Sequence, residues 1–355
     1  MYERILTLIA ACFYYSGLVK LVCWWRQQTG PTLVILNYHR ATGGDLRRHL
    51  LYFHRHYRVL HLEAALEELY TPHKSRRRKH DRRTPLVMTF DDGYHDNYTH
   101  GFKLATELQV PITIFLIPGY IESGSRFWWL EGDHLVTHAQ AIEATIEGHT
   151  YHLDTLEDRK ALAKEIDTRA RYATSVAERE AFLDSVHKKL AEPSADTGEE
   201  KAAFPVIWEE VQAMEESGWV SFGAHTMHHP LLAYLTDPAE VQFEVSECHA
   251  VLERQLGHPL HTFAYPVGGT EHIGVHGVCA VREAGYKWAV TTIYGFNTPQ
   301  TDPYLLRRIE VDVDQHWLLL AAKASGVWGF FSGLYRVLIT RIRKLVNLFE
   351  TVKDI

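Results

Sequence analysis

The run Leu86-Val-Met-Thr-Phe-Asp-Asp-Gly-Tyr94 constrains this chain most, because an apolar stretch of strand length ends abruptly in two adjacent carboxylates and a glycine. Such a stretch reads as a buried strand. Its C-terminal end is where α/β folds present their ligands, so two negative charges at that point need something to hold them. Alone, Asp91-Asp92-Gly93 reads equally well as a strand followed by an Asp-Gly turn. Neighbours in an extended chain point to opposite faces, so the two carboxylates cannot easily share one role.

Strand and helix signals alternate around this run. Thr32-Leu-Val-Ile-Leu-Asn-Tyr38 reads as a buried strand ending in His39-Arg40, and Pro111-Ile-Thr-Ile-Phe-Leu-Ile-Pro118 as another. Helical periodicity marks Asp45 to Tyr57 and Leu62 to Leu69, and a helix is expected near His100 to Leu108. Buried strands separated by helices imply parallel pairing. From Ser123 to about Phe204 the composition changes: Phe127-Trp128-Trp129 opens the segment, Asp154 to Ala191 is rich in Glu, Lys, Ala and Arg, and Pro193 to Lys201 is a polar linker. That segment reads as an exposed helical insertion of about residues 123–204, forming a lid or one wall of a groove. Trp208 to Ser217 returns to helix and Trp219-Val-Ser-Phe-Gly-Ala224 to strand.

The last of these strands runs into His225-Thr-Met-His-His-Pro230. Read as a helical turn, the spacing puts His225 and His229 on one face, where both imidazoles reach one ion, while His228 points elsewhere. A pair of histidines is a weak signal by itself. Joined to one of the earlier carboxylates it makes a three-ligand set for a hydrolytic divalent metal, with positions left for water and substrate. The other carboxylate is then free to act as a base.

Composition sets the outer limits. A chain of 355 residues accommodates one α/β barrel of ~250 residues plus appendages. With 37 Lys and Arg against 44 Asp and Glu the net charge is −7, which argues against a nucleic-acid partner. Lys74 to Arg83 holds seven basic residues and reads as a solvated loop, or as a contact to an anionic membrane surface or polymer. Cys12, Cys23, Cys248 and Cys279 form no CxxC pair, so neither a disulfide framework nor a zinc knuckle is indicated. Residues 1–30 read as an apolar N-terminal helix: uncharged from Ile5 to Val19, too short to span a bilayer unless Lys20 snorkels, and a poor signal peptide. An interfacial helix, a span and a helix packed on the protein are the three readings. Residues 313–355 carry a polar stripe of Arg336, Thr340, Arg343, Asn347 and Glu350 on an otherwise apolar helix, which caps the core or meets a membrane. The location expected is membrane-associated, peripheral or through one N-terminal anchor, with a cytoplasmic protein as the alternative.

These motifs resemble the metal-dependent polysaccharide deacetylases, carbohydrate esterase family four. That family's TFDDG motif is present as Thr89 to Gly93, its H-[ST]-x-x-H-P motif as His225 to Pro230, and Phe263-Ala-Tyr-Pro-Val-Gly268 is similar to the FAYP variant of exopolysaccharide-processing members. The similarity covers about Leu33 to Asp312 without the insertion. It implies a distorted (β/α) barrel over residues 31–312, with Asp91 as general base and Asp92, His225 and His229 as ligands of a divalent metal, zinc being the ion of choice. The backbone N–H of Tyr265 would stabilise the oxyanion. The implied reaction is removal of N-acetyl groups from an N-acetylated saccharide. Deformylation or deacetylation of a lipid-linked sugar is one alternative, and an inactive carbohydrate-binding protein is another.

Two departures stand out. The family's third-motif Arg aligns with Ala264, so Arg307 or Arg308 must steady the base, and strand alternation allows only one of them to face inward. Arg308 is preferred. No final L-x-x-H motif supplies the acid, which leaves His39, at the end of the first strand, or His316 after the last. The aromatic triple Phe127-Trp128-Trp129 would stack on sugar faces or fill the insertion's own core.

Overall fold

A computed structural model describes residues 2–71, 81–190, 201 and 203–329. Ten strands are present among them: β1 Val34–Tyr38, β2 Arg58–Val59, β3 Pro85–Phe90, β4 Ile112–Leu116, β5 Glu143–Ile146, β6 His149–His152, β7 Val220–Ala224, β8 Thr262–Ala264, β9 Trp288–Tyr294 and β10 Leu306–Glu310. Seven of these form a closed ring in the order β1, β10, β9, β8, β7, β4, β3, with every neighbour parallel. The fold is therefore a (β/α) barrel, distorted by having seven staves. β1 closes it, pairing with β10 through Leu36↔Ile309 and with β3 from Val34↔Leu86 to Tyr38↔Phe90. The short β2 adds only to the start of β3.

Continuous apolar runs suit this ring because each strand is covered on both faces. Alternation sorts the residues. Val34, Leu36, Tyr38, Leu86, Met88 and Phe90 pack outward under the helices. Ile35, Val87, Phe115, Ala264, Val290 and Leu306 fill the interior together with Leu62, Leu66 and Leu69 of the helix Leu62–Tyr70. Continuing the same alternation past Phe90 turns Asp91 into the barrel.

The segment 123–204 is an insertion, although not a purely helical one. Helices Trp128–His138, Leu156–Arg171 and Val176–Leu190 enclose the antiparallel hairpin β5–β6. Phe127, Trp128 and Leu135 share a core there with Tyr94 and Leu231 from the barrel loops. The N-terminal segment is also not one helix. It breaks at Gly17 (φ 80) into Tyr2–Tyr15 and Leu18–Thr29, bent by 65°, because a left-handed glycine ends the first helix. No single helix among the described residues is long and apolar enough to cross a membrane. Ala10 and Val19 pack on Leu318, Leu319 and Ala322 of the helix Trp317–Ser325. Most of the basic run 74–83, and the polar-striped helix expected at the C-terminus, lie outside the described residues.

Candidate active site

Asp91 and Asp92 leave β3 in different directions, the first towards Arg308 and the second towards His225 and His229. Asp92 adopts φ 73 rather than an extended conformation. Gly93 follows at φ 68, where a Cβ would come 2.7 Å from the Leu116 side chain, so the turn needs glycine. Asp91, 2 % exposed, receives Arg308 Nη1 and Nη2 on its two oxygens, each at 2.7 Å. Arg308 is fully buried and also donates to Thr89 Oγ1 (3.1 Å) and to the Thr291 carbonyl (2.8 Å). Thr89 in turn donates to the Leu36 carbonyl. A register irregularity against β9 falls between Leu306 and Arg308. Bulges of this kind re-aim side chains beside functional sites. Arg307 is exposed, and its N–H is held by Asn297 on the outer side. Burial alone would raise the Asp91 carboxyl, but Arg308, with His225 and His39 behind it, outweighs burial and holds it below the usual carboxylate range.

The histidine segment is not a helical turn. It is a loop in which Thr226 (φ 66) and His229 (φ 56) are both left-handed, and this path, rather than helical spacing, brings the imidazoles together. Thr226 Oγ1 pins the loop by accepting from the His229 N–H at 2.9 Å and donating to the His225 carbonyl. Glu244, buried on the helix Pro238–Leu256, accepts from the N–H and Nδ1 of His228, which accounts for the third histidine. His225 Nε2 and His229 Nε2 lie 3.4 and 3.6 Å from Asp92 Oδ1. These three residues are the single His/Cys/Asp/Glu cluster found among the described residues that could hold a metal ion, with ligand atoms all within 4.8 Å of one another. Burial pushes the His229 imidazole well below its ordinary value, helped by the charges of His225, Arg179, His39 and Arg171. At His225 burial acts the same way but Asp92 and Asp91 overcome it and hold the ring up.

The residues expected near this centre divide. His39 is exposed at the end of β1, lines a cleft of about 340 Å³ with Arg40, Glu310 and Asp312, and is close enough to act electrostatically on Asp91 and His229. His316 caps the helix Trp317–Ser325 instead, its Nδ1 accepting from Leu318 N–H. The Tyr265 amide is not available as an oxyanion donor: it donates to Val290 O in the sheet, and the side chain is buried with its hydroxyl on the Tyr304 carbonyl. The next amide in that loop, Val267 at φ 58, spans a tight Gly268 N–H to Pro266 carbonyl turn and has no hydrogen-bond partner among the described residues. Asp92, Thr226, His229 and Val267 make four of the six described non-glycine residues at positive φ, and such strain concentrates at functional sites.

Sequence reasoning gave no role to the hydroxyls of Thr89 and Thr226, although both lie inside the motifs. Trp129 was visible within the aromatic triple, but nothing local placed its ring 4.4 Å from that of His229.

A seven-stranded parallel barrel thus carries a buried Asp/His/His cluster and an Arg-supported carboxylate at its strand ends. Solved structures agree on the fold. The Streptococcus pyogenes deacetylase PplD, in complex with acetate, superposes with a TM-score of 0.54 at 16% identity over 83% of this chain and 99% of that one. IcaB from Ammonifex degensii gives 0.53 at 19% over 83% and 98%. A de-N-acetylase from Aggregatibacter actinomycetemcomitans gives 0.51 at 12% over 81% and 98%. No curated protein matches the sequence significantly. The polysaccharide deacetylase family profile matches residues 78–189 and 187–288, more than half of the chain. The chain belongs to the polysaccharide deacetylase family, hydrolases of amide bonds.

Proposed function

We propose that the chain removes N-acetyl groups from the sugars of a polysaccharide or oligosaccharide with a divalent ion, zinc for preference, held by Asp92, His225 and His229. The observation that carries this is the buried cluster itself. Asp92 Oδ1 has no hydrogen-bond partner among the described residues, yet it faces two imidazole nitrogens, a donor set that fits such an ion. When bound, the ion supplies Lewis acidity to the amide carbonyl and lowers the pKa of water towards ~7.

The chain's own residues do the rest. Asp91, kept ionised and fixed in orientation by Arg308, takes the proton of the attacking water on lone pairs the guanidinium leaves open. The Val267 amide, in place of Tyr265, donates to the developing oxyanion. As the C–N bond breaks, His39 protonates the leaving amine, giving acetate and a free amino sugar.

A peripheral membrane location belongs to the same proposal. Leu8, Leu21, Trp24 and Trp25 are exposed on the N-terminal helices, with Lys20 among them, as in helices that lie in a bilayer interface. That apolar surface also favours a lipid-linked sugar as the second substrate reading.

Metal analysis and acetate release from an N-acetylglucosamine oligomer test the assignment. The wild-type chain is expected to carry about one ion and to lose activity on chelation, and Asp91→Asn to keep the ion and lose activity. Unchanged release by Asp91→Asn, or full activity without a metal, refutes these roles. Activity confined to a polyprenyl-linked sugar selects the second substrate.

A further inference from the structure

Metal-ligating imidazoles are ordinarily oriented by a hydrogen bond at the ring nitrogen facing away from the ion, and losing such a partner weakens metal binding by about 10- to 100-fold. The two histidines of the cluster differ in this respect. His225 Nδ1 meets the Ala264 carbonyl at 2.7 Å. His229 Nδ1 is buried and has no hydrogen-bond partner among the described residues. His229 also sits at φ 56, so neither its ring nor its backbone is held in the usual way.

We propose that the insertion supplies this restraint: Trp128 and Trp129 are positioning residues that set His229 for metal binding, the first through its backbone and the second through its ring. Trp128 Nε1 donates to the His229 carbonyl at 3.1 Å, so the left-handed residue is held at its carbonyl by Trp128 and at its N–H by Thr226 Oγ1. Trp129 lays its ring against that of His229, with centroids 4.4 Å apart and planes inclined by 47°. Both tryptophans are themselves held. Trp129 Nε1 donates to the Tyr94 hydroxyl at 2.7 Å, and its ring stacks on Phe127 at 4.7 Å. Trp128, 2 % exposed, carries the guanidinium carbons of Arg171 and Arg179 at 5.4 and 5.5 Å from its ring centre, one from each long helix of the insertion. A chain of contacts thus runs from the insertion helices through Trp128 to a ligand carried on a barrel loop. Packing and a backbone hydrogen bond replace the missing bond at Nδ1.

This inference rests on the metal site proposed above, and the experiment separates the two. Affinity for Zn²⁺ alone is measured by chelator competition, and the visible spectrum with Co²⁺, for the whole chain and for Trp128→Phe, Trp129→Ala and Trp129→Phe. Thermal unfolding of each metal-free protein is recorded alongside. Trp128→Phe keeps a ring but loses the N–H, and is expected to bind Zn²⁺ about 10-fold more weakly and to shift the Co²⁺ bands, while the metal-free protein still unfolds in a cooperative transition at a somewhat lower temperature. Trp129→Ala is expected to do the same, and Trp129→Phe to restore most of the affinity. A wild-type chain that binds no metal refutes the site itself. Normal wild-type binding with equal affinity in Trp128→Phe and Trp129→Ala overturns only the positioning role, and Trp128→Phe decides alone should Trp129→Ala fail to fold.

Discussion

Replacing Arg308 by methionine leaves the Asp91 carboxylate in the barrel interior with no cation beside it. Methionine keeps much of the volume, so the perturbation is one of charge and of four lost donor contacts: two to Asp91, one to Thr89 and one to the Thr291 carbonyl. Removing one partner of a buried pair costs about 3–5 kcal/mol, because the remaining charge is desolvated without compensation. Set against a total stability of roughly 5–15 kcal/mol, the variant is expected to fold, with Tm lowered on the order of 10 °C. The double variant Asp91→Asn/Arg308→Met carries no unpaired charge. It is expected to recover part of the loss, giving a coupling of about 2–3 kcal/mol. Urea unfolding of the four metal-free proteins, followed by far-UV circular dichroism, closes the cycle, and acetate release gives the second reading. Arg308→Met is expected to retain metal and to lose about 100-fold in kcat as the base loses its fixed orientation. A wild-type unfolding midpoint in Arg308→Met, or single-variant losses that simply add in the double variant, would refute the argument that this pair is a buried, coupled unit.

Other consequences are as direct. His39→Gln is expected to lower kcat about 100-fold with KM and metal content unchanged; an unaltered kcat removes His39 from the mechanism. Gly93→Ala forces a side chain into a left-handed residue 2.7 Å from Leu116 and is expected to cost about 1–3 kcal/mol in urea unfolding, with an unchanged midpoint counting against the turn as described. Leu8→Glu/Trp25→Glu is expected to reduce co-sedimentation with phosphatidylglycerol vesicles by about 100-fold while leaving release from a soluble oligomer intact. Equal sedimentation of variant and wild type would sink the bilayer contact.

Much of the barrel is legible in the sequence because its signals are local. Buried strands announce themselves as continuous apolar runs, and alternation along Leu305 to Val311 allows only one of Arg307 and Arg308 to face inward, without by itself saying which. The site is legible where its residues sit at strand ends. What escaped depends on backbone path or distant partners. Helical spacing is the natural reading of His225 and His229, and nothing local distinguishes it from a loop with Thr226 and His229 left-handed. Tyr265 matches the motif, yet Val290, from a strand that the motif does not contain, takes its amide. The hairpin β5–β6 is too short and too rich in His and Glu to separate from its helical surroundings. Trp129 reaches His229 only because the insertion folds back over the barrel, 100 residues from Trp129 in the chain.

The closure of the ring through β1 also governs when the site comes into being. Asp91 and Arg308 are 217 residues apart, and β1, lying between β3 and β10, joins the earliest staves to the last. Contacts of such sequence separation form slowly, after large loops have closed. During synthesis, residues 34–116 can assemble β1, β3 and β4 long before β10 leaves the ribosome, with Asp91 turned towards an interior that holds no counter-charge. The last stave to be made therefore both seals the barrel and neutralises its buried carboxylate, so assembly of the fold and of the Asp91–Arg308 pair is a single late event.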